Sequence, residues 1–179
     1  LGAQLSHQKG QYSGAAHVSI PLETPDFIPK LTEPEPYTTV TTRPSYDQWQ
    51  TDKTHKNRMA RALNDDDFTN IGIRSNGPDL YLKLSNARIS DLPRAVGRAA
   101  RIAALLSPIE TKRLNITYTL IEMPAVTYQF SDINQLQRYF NGQITRKELA
   151  TSVNIVYPPG GPVNLGFSEN DLYLGLDDD

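Results

Sequence analysis

Residues 113–123, RLNITYTLIEM, alternate without interruption. Leu114, Ile116, Tyr118, Leu120 and Glu122 fall on one side, and Asn115, Thr117, Thr119 and Ile121 on the other. A period of two predicts a strand. Directly before it lies Leu92–Leu106, whose body RAVGRAARIAALL consists largely of Ala, Leu and Arg, all good helix formers. Pro93 sits just inside the start, where its missing N–H leaves no intrahelical bond unmade, and Asp91 or Ser90 can serve as N-cap. Pro108 stops the helix. A capped helix feeding a strand in mid-chain predicts a sheet covered by helices.

The neighbouring residues extend the pattern. Ile71 and Ile73 lead to a turn at Asn76-Gly77-Pro78, and Leu80, Leu82 and Leu84 then share one face, so Thr69–Arg74 and Asp79–Ser85 predict a hairpin. Pro124 cannot donate to a ladder, so residues 113–130 are either one kinked strand or two consecutive ones. Ser131 or Asp132 caps a second helix in which Ile133, Leu136 and Phe140 recur at helical spacing, and Gly142 suits its C′ position. Thr145-Arg146-Lys147-Glu148 has the form of a capping box, and Ile155–Tyr157 reads as a final strand. The fold class is therefore α+β: a small β-β-α-β-β-α domain over residues 65–157.

The flanks differ in character. Prolines recur at 21, 25, 29, 34, 36 and 44, so residues 23–64 read as a Pro-rich linker that includes a short basic helix over 52–63, capped by Asp52. Trp49 either covers an apolar patch or serves as a sugar-stacking platform. Asp65-Asp66-Asp67 lacks the spacing of a calcium loop and reads as a solvated turn. Before the linker, residues 1–22 predict a hairpin turning at Lys9-Gly10, with Tyr12, Gly14, Ala16, Val18, Ile20 and Leu22 on one face. That alternation suits either the edge hairpin of a soluble sheet or a transmembrane β-barrel strand. After Pro158-Pro159-Gly160-Gly161-Pro162, residues 158–179 lead into another alternating run, Asp171–Leu176.

Chemistry is sparse. The net charge of −2 argues against a nucleic-acid partner, and the absence of cysteine excludes disulfides and thiolate metal sites. No phosphate loop, HExxH or nucleophile elbow occurs. His7 and His17, placed facing each other across the first hairpin, lack a third ligand, so no metal and no cofactor is expected, and no enzymatic activity. No apolar run approaches the roughly 18 residues of a transmembrane helix. No signal peptide is recognisable, and the start at Leu1 and the end at Asp179 read as cuts through a longer protein. Arg94, Arg98 and Arg101 share one side of the central helix, Val96, Ala99, Ala103 and Leu106 another. The arginine stripe is either the wet face of an amphipathic helix or a contact for an acidic polymer or partner.

The stretch from Asn86 through Gly142 resembles the internal region of the YjbH/GfcD family of exopolysaccharide and group 4 capsule proteins. The residues that carry the resemblance are Asp91-Leu92-Pro93, Ile116-Thr117, Met123-Pro124-Ala125-Val126-Thr127 and Asn141-Gly142, in that order. GAAHVSIPL resembles the last strand of the family's first barrel module, and Gly160–Leu176 the lead into the next. The resemblance implies an outer-membrane protein of exopolysaccharide export, with barrel-strand fragments and Pro-rich linkers flanking the α+β domain. Complete flanking barrels would put that domain in the periplasm, because bacterial barrels have even strand counts. The expected role is a non-enzymatic docking element for other exopolysaccharide secretion proteins. The alternative is a polysaccharide-binding domain that guides polymer to the pore. Arg94, Arg98, Arg101, Trp49, Tyr118 and Tyr128 are the candidate contacts for polymer or partner.

Overall fold

The computed structural model describes residues 2–8, 11–17, 35–39, 41–86, 88–89, 91–121, 123–158 and 164–173. The chain divides into two units, Leu1–Thr32 and Glu33–Asp179.

In the first unit, β1 (Gly2–Gln8) and β2 (Gln11–His17) form an antiparallel hairpin, with the expected reversal between them. The register differs from the sequence expectation at the histidines. His7 lies opposite Tyr12 and His17 opposite Gly2, so the two do not face one another. A register that pairs Gln8 with Gln11 sends each histidine to a different rung. Residues 18–34, with the first prolines of the linker, lie outside the described residues.

The second unit is a mixed α+β fold. It begins with α1 (Tyr46–Thr51) and α2 (Lys53–Asp65), followed by β3 (Phe68–Asn76), β4 (Asp79–Asn86), α3 (Leu92–Leu106), β5 (Arg113–Leu120), β6 (Met123–Phe130), α4 (Ile133–Phe140), α5 (Arg146–Ala150) and β7 (Val153–Val156). The five strands lie in the order β3-β4-β5-β6-β7. Only β4 and β5 run parallel, because α3 carries the chain across between them. The expected β-β-α-β-β-α unit is present as β3 to α4.

Local chemistry explains the boundaries. Asp91 accepts from Arg94 N at 3.1 Å and caps α3; Asp132, rather than Ser131, accepts from Asn134 N at 2.9 Å and caps α4. The box at Thr145 closes, with Thr145 N donating to Glu148 at 2.7 Å. Gly142 takes φ +70° after α4, the left-handed value that glycine adopts without a Cβ clash. Between β5 and β6 the chain reverses, so the region around Pro124 is two antiparallel strands with a register shift after Tyr118. Ile121, in that turn, holds φ +48°, strained for a β-branched residue.

The core lies between the helices and one sheet face. Leu80, Leu82, Leu84, Leu114 and Ile116 are buried, and above them Val96, Ala99, Ala103 and Leu106 of α3 form the expected apolar side. Each fully buried leucine or isoleucine contributes about 1.5–3 kcal/mol. α3 also buries Ala95, Ala100, Ile102 and Ala104, so most of its circumference is covered.

Two segments read as connection join this core. Trp49 of α1 and Met59 and Leu63 of α2 are buried in it, whereas the sequence reading started the domain at residue 65. The physical reason is visible at Arg43. Its guanidinium donates to Ser107 O at 2.8 Å, to Ser107 Oγ at 3.0 Å and to Pro108 O, all at the C-terminal end of α3 where carbonyls lack helical partners. Burial lowers the pKa of Arg43, and Glu110 opposes that shift. At the other end, Glu169–Asp171 form a 3₁₀ turn, Leu172 bridges Gly72 in β3, and Tyr173 N donates to Ile71 O at 2.9 Å. The described start of the run read as a barrel strand thus closes the β3 edge of this sheet. Residues 174–179 lie outside the described residues.

Candidate functional site

Four of the six residues picked from the sequence line one groove. It encloses about 580 Å³ between α3, α4–α5 and the β6–β7 edge. Arg94, Arg98 and Arg101 come from α3 and Tyr128 from β6. Tyr139, Phe140 and Arg146 complete the aromatic and basic lining, while Phe130, Leu136, Leu149, Val153 and Ile155 supply apolar surface. Arg146 was missed in the sequence; its only signal is the capping box, which places it at the first position of α5.

The three arginines have different surroundings. Arg94 is exposed on the first turn of α3. Arg101 stacks over the Phe140 ring, with 4.6 Å from guanidinium carbon to ring centre. Arg98 is only 9% exposed and forms a bidentate pair with Asp66: Nε donates to Oδ2 at 2.9 Å and Nη2 to Oδ1. The stripe is therefore not a uniform wet face. Asp65–Asp67 is not a solvated turn either: Asp66 is 3% exposed, and Asp67 pairs with Arg88 at 3.2 Å. The signal for Arg98 was its position three residues after Ala95 and four before Ile102, both buried.

Trp49 and Tyr118 lie elsewhere. Trp49 is 1% exposed and presents no face to a sugar. Tyr118 is buried, and its hydroxyl donates to Asn86 O at 2.7 Å, joining the ends of β5 and β4. Both act in packing.

Tyr128 is partly buried on the groove floor. Burial, with smaller contributions from Tyr157 and Asp91, raises its pKa above the usual tyrosine range. The native state thus holds this proton more tightly than the unfolded chain does. Its stabilising contribution is complete below the ordinary tyrosine pKa and is lost as pH rises through the native value. A phenolate absorbance titration is expected to lose a late-ionising component in Tyr128→Phe. An unchanged titration in the variant would contradict this placement.

Beside the groove, β7 ends the sheet, and among the described residues no strand pairs with its outer side. Ile155, Val156 and Tyr157 are 44%, 40% and 74% exposed. Val156 pairs with Thr127, and β6 continues beyond it to Met123, so the edge runs toward the exposed Leu120, Ile121 and Met123 of the β5–β6 turn. The two sheet edges are thus unlike: β3 is closed by Leu172, while β7 presents apolar side chains next to a basic groove. Such an arrangement can bind and orient an extended or helical partner segment. Among the described residues no three His, Asp or Glu converge as a metal site requires.

A family model described as "Exopolysaccharide biosynthesis protein YbjH" matches residues 1–161. No curated protein and no solved structure matches the chain.

Proposed function

The chain belongs to the YjbH family of exopolysaccharide biosynthesis proteins, and from that premise we propose that its α+β unit is a non-enzymatic docking element of an outer-membrane export system. The observation that carries this reading is the β7 edge: exposed Ile155, Val156 and Tyr157 beside the groove lined by Arg94, Arg101 and Arg146. An edge strand offers unpaired backbone groups for strand addition, and natural sheets usually blunt such edges with charge or proline. Here Ile155 and Val156 on the strand and Tyr157 after it are exposed and apolar, Asn154 is its one polar residue, and proline comes only beyond it at Pro158 and Pro159. The arginines favour a partner whose contacting segment is acidic, by charge complementarity.

In this reading the partners are other exopolysaccharide secretion proteins, and the domain lies on the periplasmic side between barrel modules, as the alternation of β2 and even strand counts suggest. Direct polymer contact through Trp49 or Tyr118 is disfavoured, because both are buried.

The test is site-specific photocrosslinking in the intact envelope, with the photoreactive residue at Tyr157. The expected result is a discrete adduct with another secretion protein, lost in Val156→Lys, where a charge on the edge blocks strand addition without touching the core. No adduct, or one indifferent to Val156→Lys, would overturn the reading.

A further inference from the structure

The sheet carries a second feature away from the groove. Strand pairing sets Arg74 of β3 beside Tyr81 of β4, Tyr81 beside Asn115 of β5, Asn115 beside Gln129 of β6, and Gln129 beside Asn154 of β7. One residue from each of the five strands thus forms a continuous row across the sheet. Their immediate strand neighbours Leu80, Leu82, Leu114, Ile116 and Phe130 are buried, so by alternation the row lies on the face opposite that core. Tyr81, Asn115, Gln129 and Asn154 line a trough of about 560 Å³, together with the Asp79–Arg113 pair.

We propose that this row is a saccharide-binding site for neutral pyranose units of a polysaccharide. Successive residues of the row are set by the inter-strand spacing of about 4.8 Å, close to the length of one pyranose residue along a chain. Successive sugars can therefore meet successive strands. The groups also suit vicinal hydroxyls. Asn154 Nδ2 donates to Gln129 Oε1 at 3.0 Å, which fixes both amides and leaves the Gln129 NH₂ and the Asn154 carbonyl facing other partners. Asn115 offers a donor and an acceptor on the next strand. Tyr81 supplies a flat ring next to Arg74, the last residue of the row. Arg74 stacks on that ring, 4.4 Å from guanidinium carbon to ring centre, and itself lies against Phe167 at 5.7 Å. The ring is thus held before any ligand arrives, which lowers the entropic cost of binding.

Charge separates this trough from the groove. Its one acid and one base, Asp79 and Arg113, satisfy each other through two hydrogen bonds. The trough lining, which does not include Arg74, carries no net charge, so the trough selects for hydroxyls rather than carboxylates, while Arg74 at the end of the row is engaged on the Tyr81 ring. The inference rests on membership in an exopolysaccharide family and goes beyond docking. It places polymer and partner on different surfaces of one domain.

The test is an NMR titration of the 179-residue chain with short oligosaccharides released by partial hydrolysis of the source organism's own exopolysaccharide. Saturable shifts of the Asn115, Gln129 and Asn154 side-chain amides are expected. Asn115→Ala with Gln129→Ala is expected to weaken binding by about tenfold, two hydrogen bonds' worth, while thermal unfolding stays close to that of the parent. Absence of saturable shifts, shifts confined to the groove of Arg94 and Arg101, or undiminished affinity in the double variant would each overturn the proposal. Photocrosslinking at Tyr157 is independent of this titration. A chain that crosslinks its partner but ignores the oligosaccharide sinks the saccharide site and leaves docking standing.

Discussion

Asp66→Ala is expected to lower the free energy of unfolding by about 3–5 kcal/mol, the range for breaking a buried ion pair from one side. Asp66 and Arg98 are 3% and 9% exposed and face each other in a bidentate arrangement. Removing the carboxylate takes the bidentate partner from a guanidinium that is only 9% exposed. Replacing both residues, as Asp66→Ala with Arg98→Met, removes that charge and fills the space with a flexible apolar chain. The double variant is therefore expected to be more stable than Asp66→Ala alone, giving a favourable coupling in the cycle. Urea unfolding followed by the fluorescence of the single tryptophan measures Asp66→Ala, Arg98→Met and the double variant. A loss below about 1 kcal/mol for Asp66→Ala, typical of exposed pairs, would show that the pair is not the buried clasp described. The clasp has a structural purpose: it ties the α2–β3 turn to α3, across 32 residues of chain.

That separation explains what could be read from the sequence. The limits of α3 followed from Asp91, Pro93 and Pro108, and the β3–β4 pair from its alternation and turn, because caps and turns act over a few residues, whereas alternation alone left β5 and β6 open between one kinked strand and two. The capping box at Thr145 was legible for the same reason. Asp66 was read as solvated because nothing within three residues of it reveals Arg98. The saccharide row is invisible for a related reason. Tyr81, Asn115, Gln129 and Asn154 are unremarkable polar positions on four strands, and only the register aligns them. Residues 46–63 were read as linker because their apolar content is thin. Yet Trp49, Met59 and Leu63 suffice to hold two short helices on a core. The groove was half legible: periodicity put three arginines on one side of a helix, but the aromatic residues opposite them come from α4 and β6. Family resemblance, not residue chemistry, supplied the link to exopolysaccharide biosynthesis, and the match over residues 1–161 bears out the family.

Trp49→Ala is expected to cost about 3–5 kcal/mol, as large-to-small changes of buried aromatics do. The indole is 1% exposed and belongs to the main core cluster, on a helix of only six residues that has little stability of its own. Its loss removes the apolar anchor that keeps α1 on the domain and leaves the segment held by polar contacts such as those from Arg43 to Ser107 and Pro108, from Tyr46 N to Glu110 and from Gln50 to Ser75. Trp49→Phe is expected to be much milder. The indole Nε1 is buried with no hydrogen-bond partner among the described residues, so phenylalanine gives up volume but also removes a polar group whose burial is uncompensated. Chemical denaturation followed by circular dichroism distinguishes the two variants. The same experiment decides between packing and sugar stacking. A surface platform could be truncated to alanine with little change in stability but with lost polymer affinity. A core residue shows the reverse. If Trp49→Ala unfolded at the same urea concentration as the parent, α1 would not belong to the core, and the domain would begin with α2.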